Sequence, residues 1–261
     1  MIVKAFTHGG NFHADDVMSS AFLKLVNPSI IIERGFSVPK DYDGIVFDIG
    51  LGEFDHHQVD NEIRENGIPY AAFGKLWREF SHELGLTQQS LDCIESLVVQ
   101  SVDYTDNTGE QNPLSFCIKC FNPDWNSDQS SDEAFNEAVE FATLALKQVV
   151  KHYKAVEAAE KEMAEAVEIM QNGIIVLEHY VPMNSLYAVE DAKLVVFPSN
   201  RGGWNINAVK GHFEFPEAWV GASADELSLP GLTFCHPGRF MCCAETREQA
   251  INIAKIALSC N

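Results

Sequence analysis

The chain has 261 residues, 46% of them hydrophobic and 21% charged, with a mean hydropathy of −0.09. This is a globular composition, long enough for one large domain or two ordinary ones without disulfide staples, and it excludes fibrous and disordered classes. Eighteen basic against thirty-eight acidic residues give a net charge of −20, which argues against coating nucleic acid by long-range attraction.

In chain order, residues 2–7 form an apolar β-rich run. The opening MIVKAFTHGG turns polar too early for a secretory signal, and no stretch reaches the ~20 apolar residues of a membrane span. A cytoplasmic location without a membrane partner is expected, and no protein partner is specified. HGGNFHADD follows, and residues 17–26 then carry helical apolar spacing; residues 29–34 and 43–49 read as further strands. Short strands alternating with helices predict a parallel sheet. Beyond EFDHHQ, residues 70–84 and 90–102 have amphipathic helical patterns, the second running into SVDYTDNTG.

Residues 107–129, rich in Asn, Asp, Pro and Ser, read as loop. A long helical pattern over residues 132–170 reads as a solvated connector, with Gly173 as its stop. Short β-like runs follow at 174–177, 186–188, 193–199, 204–209 and 233–236, before a closing helix at 247–258. The expected architecture is α/β: a parallel-sheet domain over residues 1–130, a connecting helix over 131–172, and a smaller mixed α/β domain over 173–261. The seven cysteines follow no disulfide framework. Cys117 and Cys120 form a CxxC without a second pair, so reduced, structural cysteines are expected.

The chemistry-bearing residues of the N-terminal half are His8, His13, Asp15, Asp48, Asp55, His56, His57, Asp103 and Asp106. Most sit where a predicted strand ends or a helix begins or ends. In an open α/β sheet such positions converge beyond the carboxyl ends of the strands. Singly they say little: a loop histidine is ordinarily solvated, and Asp15 with Asp16 is a common helix N-cap pair. Together they exceed what one ion needs. Mixed imidazole and carboxylate ligands suit Mn, Zn or Fe better than Mg. Two such ions, bridged by Asp48 or Asp103, would clamp a phosphorus centre for in-line attack, and their charge would offset the −20 background. Adjacent residues in extended chain point to opposite sides, so Asp55, His56 and His57 cannot all serve one ion in the same way.

HGGNFHADD, VFDIG, FDHHQ and VDYTDN together resemble motifs one to four of the DHH phosphoesterase superfamily, in the form found in the melanocyte proliferating gene family, the Myg exonucleases. The resemblance continues through AAFGKLW, WNINAV and PGLTFCHPGRF, in the same order, across nearly the whole chain. It implies a DHH-type catalytic domain followed by a substrate-binding domain, and a manganese-dependent phosphodiesterase with 3′-to-5′ exonuclease activity on RNA or oligonucleotides. By the same resemblance, His8, His13, Asp15, Asp48, His57 and the Asp103/Asp106 segment are metal positions. Asp55 and His56 are the catalytic pair, with His56 against the attacked phosphate.

His236 and Gly238 match the last motif, which approaches the nucleotide, whereas Cys242 and Cys243 stand where the family has later glycines. Arg239, and less directly Arg201, are candidate phosphate contacts. Trp204 could stack a base, although a tryptophan opening a β-run is more often core. Two other functions stay open. One is a small-molecule nucleotide phosphoesterase, which the charge suits. The other is a non-catalytic metal-binding protein, which Cys242 and Cys243 would signal by a disabled substrate domain.

Overall fold

The computed structural model describes residues 3–59, 62–183, 186 and 189–260. The chain divides into two compact units, Met1–Lys154 and Ala155–Asn261.

In the first unit, β1 (Lys4–His8) is the middle strand of a three-stranded parallel sheet, between β2 (Ile31–Gly35) and β3 (Ile45–Val46). Its Ala5, Phe6 and Thr7 are buried, as expected of a central parallel strand. Between β1 and β2 lies α1 (Ala14–Val26), which packs on α2 (Ala72–Phe80). The ring of Phe22 meets Trp77 at 5.1 Å and Phe73 at 6.1 Å. A 3₁₀ turn, Ser81–Leu84, prolongs α2. Next, α3 (Gln88–Ile94) runs through a π-helical turn, Glu95–Val99, into α4 (Gln100–Thr108).

The segment expected to be loop contains a further helix, α5 (Pro113–Lys119). Asn112 caps it by accepting from Ser115 N at 2.9 Å, and Pro113 opens it with a φ already helical. The long helix α6 (Ser131–Glu168) is also more than a solvated connector. Ala134, Phe135, Ala138, Val139, Ala142 and Leu146 recur at helical spacing and enter the core of the first unit. Met163 and Ala166, near its other end, belong to a core of the second.

The second unit is built on a mixed five-stranded sheet of order β4-β5-β6-β8-β7. Its strands are β4 (Ile174–Val176), β5 (Leu194–Pro198), β6 (Trp204–Ala208), β7 (Leu232–Cys235) and β8 (Met241–Ala244). Only the β4–β5 pairing is parallel. A short helix, α7 (Ala224–Leu227), precedes β7, and α8 (Arg247–Ser259) covers one sheet face, where Ile206, Cys242 and Ala244 pack with Ala250, Ile253 and Ala254. The sequence reading missed β8, the strand between β6 and β7. Of the expected run at 186–188, only Leu186 is among the described residues, and it is buried. Among the described residues no helix is long and apolar enough to cross a membrane.

Candidate metal centre

His8 closes β1, and Asp48 lies just beyond β3. Because these strands are parallel neighbours, both side chains emerge at one end of the sheet. Asp48 has φ 53°, a left-handed value that Asp tolerates better than branched residues. His8 Nε2 lies 3.3 Å from Asp48 Oδ2 and 3.2 Å from Asp16 Oδ2. The hydrogen bond to Asp48 raises His8 to about 9, against the opposing effect of burial.

Asp48 N donates to Phe54 O at 3.0 Å, which closes residues 49–53 into a loop and returns the chain to the same spot. There Asp55, almost fully buried, accepts from Leu51 N at 2.7 Å and His57 N at 3.0 Å, and its Oδ1 meets His57 Nδ1 at 2.7 Å. Burial pushes the Asp55 carboxyl up, but these hydrogen bonds outweigh it and hold it below the ordinary value.

The two histidines differ sharply. The His57 side chain is 57% exposed, whereas that of His56 is 7% exposed, although their rings are 4.2 Å apart. His56 Nε2 contacts Asp106 Oδ2 at 2.8 Å, while its Nδ1 faces Asp48 Oδ1 at 3.4 Å and Asp15 Oδ2 at 3.8 Å. Burial lowers the His56 pKa, but Asp106 and Asp48 raise it by more.

Asp15 and Asp16, in the first turn of α1, have separate surroundings. Asp16 Oδ1 accepts from His13 N at 2.8 Å, and Oδ2 turns toward His8. Burial pushes its carboxyl to about 7, with His8 opposing. Asp15 accepts from Ala72 N at 2.9 Å and Phe73 N at 2.7 Å, so it caps α2 from another element. Its burial, and then the nearby Asp48, Asp106 and Asp103, hold it well above the carboxylate range.

The next amide, Gly74 N, donates to Asp103 Oδ1 at 3.1 Å, and Arg64 Nη2 reaches Asp103 Oδ2 at 2.7 Å. Arg64 is itself buried, bonded to Glu95 and stacked 3.7 Å from the Tyr70 ring centroid. Lys75, also buried, donates to Asp55 O at 2.7 Å. The AAFGKLW segment therefore presents its amides and one ammonium to the acidic segments around the centre.

Three overlapping groups have donor atoms close enough to hold an ion: Asp48, Asp55, His56 and His57; His8, Asp16 and Asp48; and Asp15, His56 and Asp106. Asp16 Oδ2, Asp48 Oδ1 and His56 Nδ1 are buried without a hydrogen-bond partner. Buried polar atoms rarely stay unpaired, and the donor set is the mixed imidazole and carboxylate type, so the residues fit a transition-metal ion.

Asp103 falls outside these groups, because Arg64 and Gly74 occupy its carboxylate. His13 does too: it is exposed, with its ring 6.0 Å from that of His8. Asp16 was passed over in the sequence as half of a cap pair. The signal was available, since a residue at the third helical position reaches back across the N-cap toward the preceding strand.

In the second unit, His236, Gly238 and Arg239 form the turn between β7 and β8. Gly238 N donates to His236 Nδ1 at 2.9 Å, and the Arg239 guanidinium pairs with Glu214. Arg201, in the β5–β6 turn, lines a separate cleft of 730 Å³. Trp204 packs against the core on the α8 side. Cys242 is fully buried on that side, whereas Cys243 lines the cleft. All seven cysteines are free thiols.

Residues 4–258 match the family described as an uncharacterised protein family, UPF0160, the Myg exonuclease family. The chain belongs to this family. It is 26% identical to an MYG1 protein of Saccharomyces cerevisiae, covering 97% of this chain and 95% of the relative. It is 26% identical to a rat protein named MYG1 exonuclease, covering 97% and 84%. A relative in Chlamydia pneumoniae, also an MYG1 protein, is 26% identical over 97% of this chain and 95% of its own length.

Proposed function

We propose that this member of the Myg family is a metal-dependent phosphodiester hydrolase, a 3′-to-5′ exonuclease on RNA or short oligonucleotides that works with two manganese ions. The observation that carries the reading is the convergence of three buried atoms without a hydrogen bond, Asp16 Oδ2, Asp48 Oδ1 and His56 Nδ1, which meet only the charged groups of the same overlapping clusters. The exonuclease name of the rat and mouse relatives supports the reaction class.

His8, Asp16 and Asp48 would hold one ion, with the His13 ring near that of His8, and Asp15, His56 and Asp106 would hold another, with Asp48 facing His56 Nδ1. Bound there, divalent ions would supply an activated water and neutralise charge developing on the phosphate oxygens.

Burial favours exchanging the roles that the family resemblance gives to the two histidines. His56 is enclosed by carboxylates and acts as a ligand, whereas the half-exposed His57 is free to meet substrate. Asp55 accepts from His57 Nδ1–H and so orients the ring; with both nitrogens protonated, its Nε2–H would donate to a non-bridging phosphate oxygen. Asp103 becomes a scaffold residue that, with Arg64, anchors α4 to α2. In the second unit, His236, Gly238 and Arg201 engage substrate, while Arg239 is occupied by Glu214. A net charge of −20 favours the short end of the substrate range, down to small nucleotides.

The test is hydrolysis of bis-p-nitrophenyl phosphate and of a short end-labelled RNA by metal-stripped protein resupplied with Mn²⁺. Turnover of both, abolished in Asp48→Asn, is expected. Protein that binds Mn²⁺ and cleaves neither would leave a non-catalytic metal-binding protein as the answer.

A further inference from the structure

The metal centre lies in a cleft of 1060 Å³ whose lining includes Asp48, Asp55, His56, His57 and Asp106. Lys119 is the one lysine or arginine among the described residues that line it. It stands exposed in the last turn of α5, and no described carboxylate pairs with it, in a chain with 38 acidic residues.

The base of that side chain is fixed from both ends of α5. At its start, Asn112 Nδ2 donates to Ser101 O and Thr105 Oγ1, each at 2.8 Å, on α4, the helix that carries Asp106. Just past its end, the Asn122 side chain accepts from Phe12 N at 3.0 Å and donates to Phe12 O at 2.9 Å, next to His13, and to Lys119 O at 3.2 Å. The Lys119 main chain is thus tied to the elements that carry Asp106 and His13, while its flexible four-carbon stem lets the ammonium adjust to a ligand in the cleft.

The charge of the centre makes a separate cation necessary for any further phosphate. Five carboxylates, those of Asp15, Asp16, Asp48, Asp55 and Asp106, share the ion-holding groups. They offset the divalent ions they would hold, so little positive charge is left for a phosphate beyond the reacting one. Lys119 supplies it, as a point charge that meets phosphate oxygens from many directions. A lysine in the last turn of a helix also meets the helix dipole, a role that needs no cleft. We infer that Lys119 is a specificity-determining residue that holds a second phosphate of the substrate, the one adjoining the reacting linkage, and so selects short phosphorylated oligonucleotides over isolated diesters. The inference rests on the hydrolase reading and deepens it by naming what the substrate carries beside the reacting group.

The test is calorimetric binding of a dinucleotide, with and without a 5′-phosphate, to the full chain loaded with Mn²⁺, in a His57→Ala background expected to lack turnover. The 5′-phosphate stands for the one adjoining the reacting linkage. It should tighten binding about tenfold in chains with Lys119 or Lys119→Arg, and that preference should fall to near unity in Lys119→Gln. A lysine that served the helix dipole alone would leave the preference intact in Lys119→Gln, and this result would overturn the inference. So would a chain with Lys119 that does not distinguish the two dinucleotides. Lys119 is exposed, and Mn²⁺ content equal to that of the parent would establish that the variants are folded and loaded. Hydrolysis of bis-p-nitrophenyl phosphate by the parent with Mn²⁺ reports separately on the hydrolase reading, because that diester carries no second phosphate.

Discussion

Asp55 acts on the proposed reaction through His57. It receives two backbone amides and the imidazole Nδ1, so its role is to fix where the exposed ring points. Asp55→Asn keeps the shape but loses the charge that accepts from His57 Nδ1–H and orients the ring. Turnover of metal-loaded protein should fall by roughly 10- to 100-fold, the usual effect of losing such an orienting carboxylate. Melting temperature and Mn²⁺ content of the purified variant would show whether the loss lies in chemistry or in loading. His57→Ala and His56→Ala should differ: the first loses turnover with Mn²⁺ affinity kept, whereas the second loses Mn²⁺ binding itself. Equal Mn²⁺ affinity in both variants, measured by calorimetry, would reject the exchange of roles.

At the scale of elements, the N-terminus of α2 is the counterweight to the acidic site. Its first amides receive Asp15 and Asp103, and there is no room between Gly74 and Asp103 for a side chain. A Cβ at Gly74 would lie 1.9 Å from Asp103 Oδ2 and 2.5 Å from Arg64 Nη2. Gly74→Ala should therefore break the buried Arg64–Asp103 pair and cost about 3–5 kcal/mol, read as a fall in the denaturation midpoint.

Much of this level was legible in the sequence. The alternation of strands and helices predicts the parallel sheet, and strand ends predict that His8 and Asp48 meet. The capping exchange was not, because Asp15 and Asp103 satisfy amides of a helix dozens of residues away, and no local pattern records that. Helix α5 was hidden by a composition typical of loops, although its Asn112–Pro113 start was visible. Strand β8 was hidden because Met-Cys-Cys-Ala has neither the alternation nor the β-branched residues of a typical strand.

For the whole molecule, the metal-free protein folds around groups that hold protons more tightly than they would unfolded. Asp16 is raised from 3.8 to about 7 and His8 from 6.5 to about 9, and Asp15 is raised as well. A raised folded-state value contributes stability that is complete below the unfolded value and lost as pH rises through the folded one. Asp16 therefore withdraws stability between about pH 4 and 7 and His8 between about 6.5 and 9, and Asp15 acts in the same direction. Metal-free protein should melt progressively lower from pH 5 to pH 9. Because binding displaces these protons, Mn²⁺ should raise the melting temperature more at pH 8.5 than at pH 5.5. A metal-induced rise that is the same at both pH values would mean that these groups are not the ligands.

Cys235 and Cys242 are paired across the β7–β8 ladder and buried, with their thiols pushed up by burial, whereas Cys93, Cys117, Cys120 and Cys260 are exposed. The protein thus carries an internal clock for its own opening. An alkylating reagent should consume the exposed sulfurs promptly and reach Cys242 only when the second sheet parts from α8. The slow phase of labelling, followed by mass spectrometry, would give the opening rate of that sheet without any introduced probe.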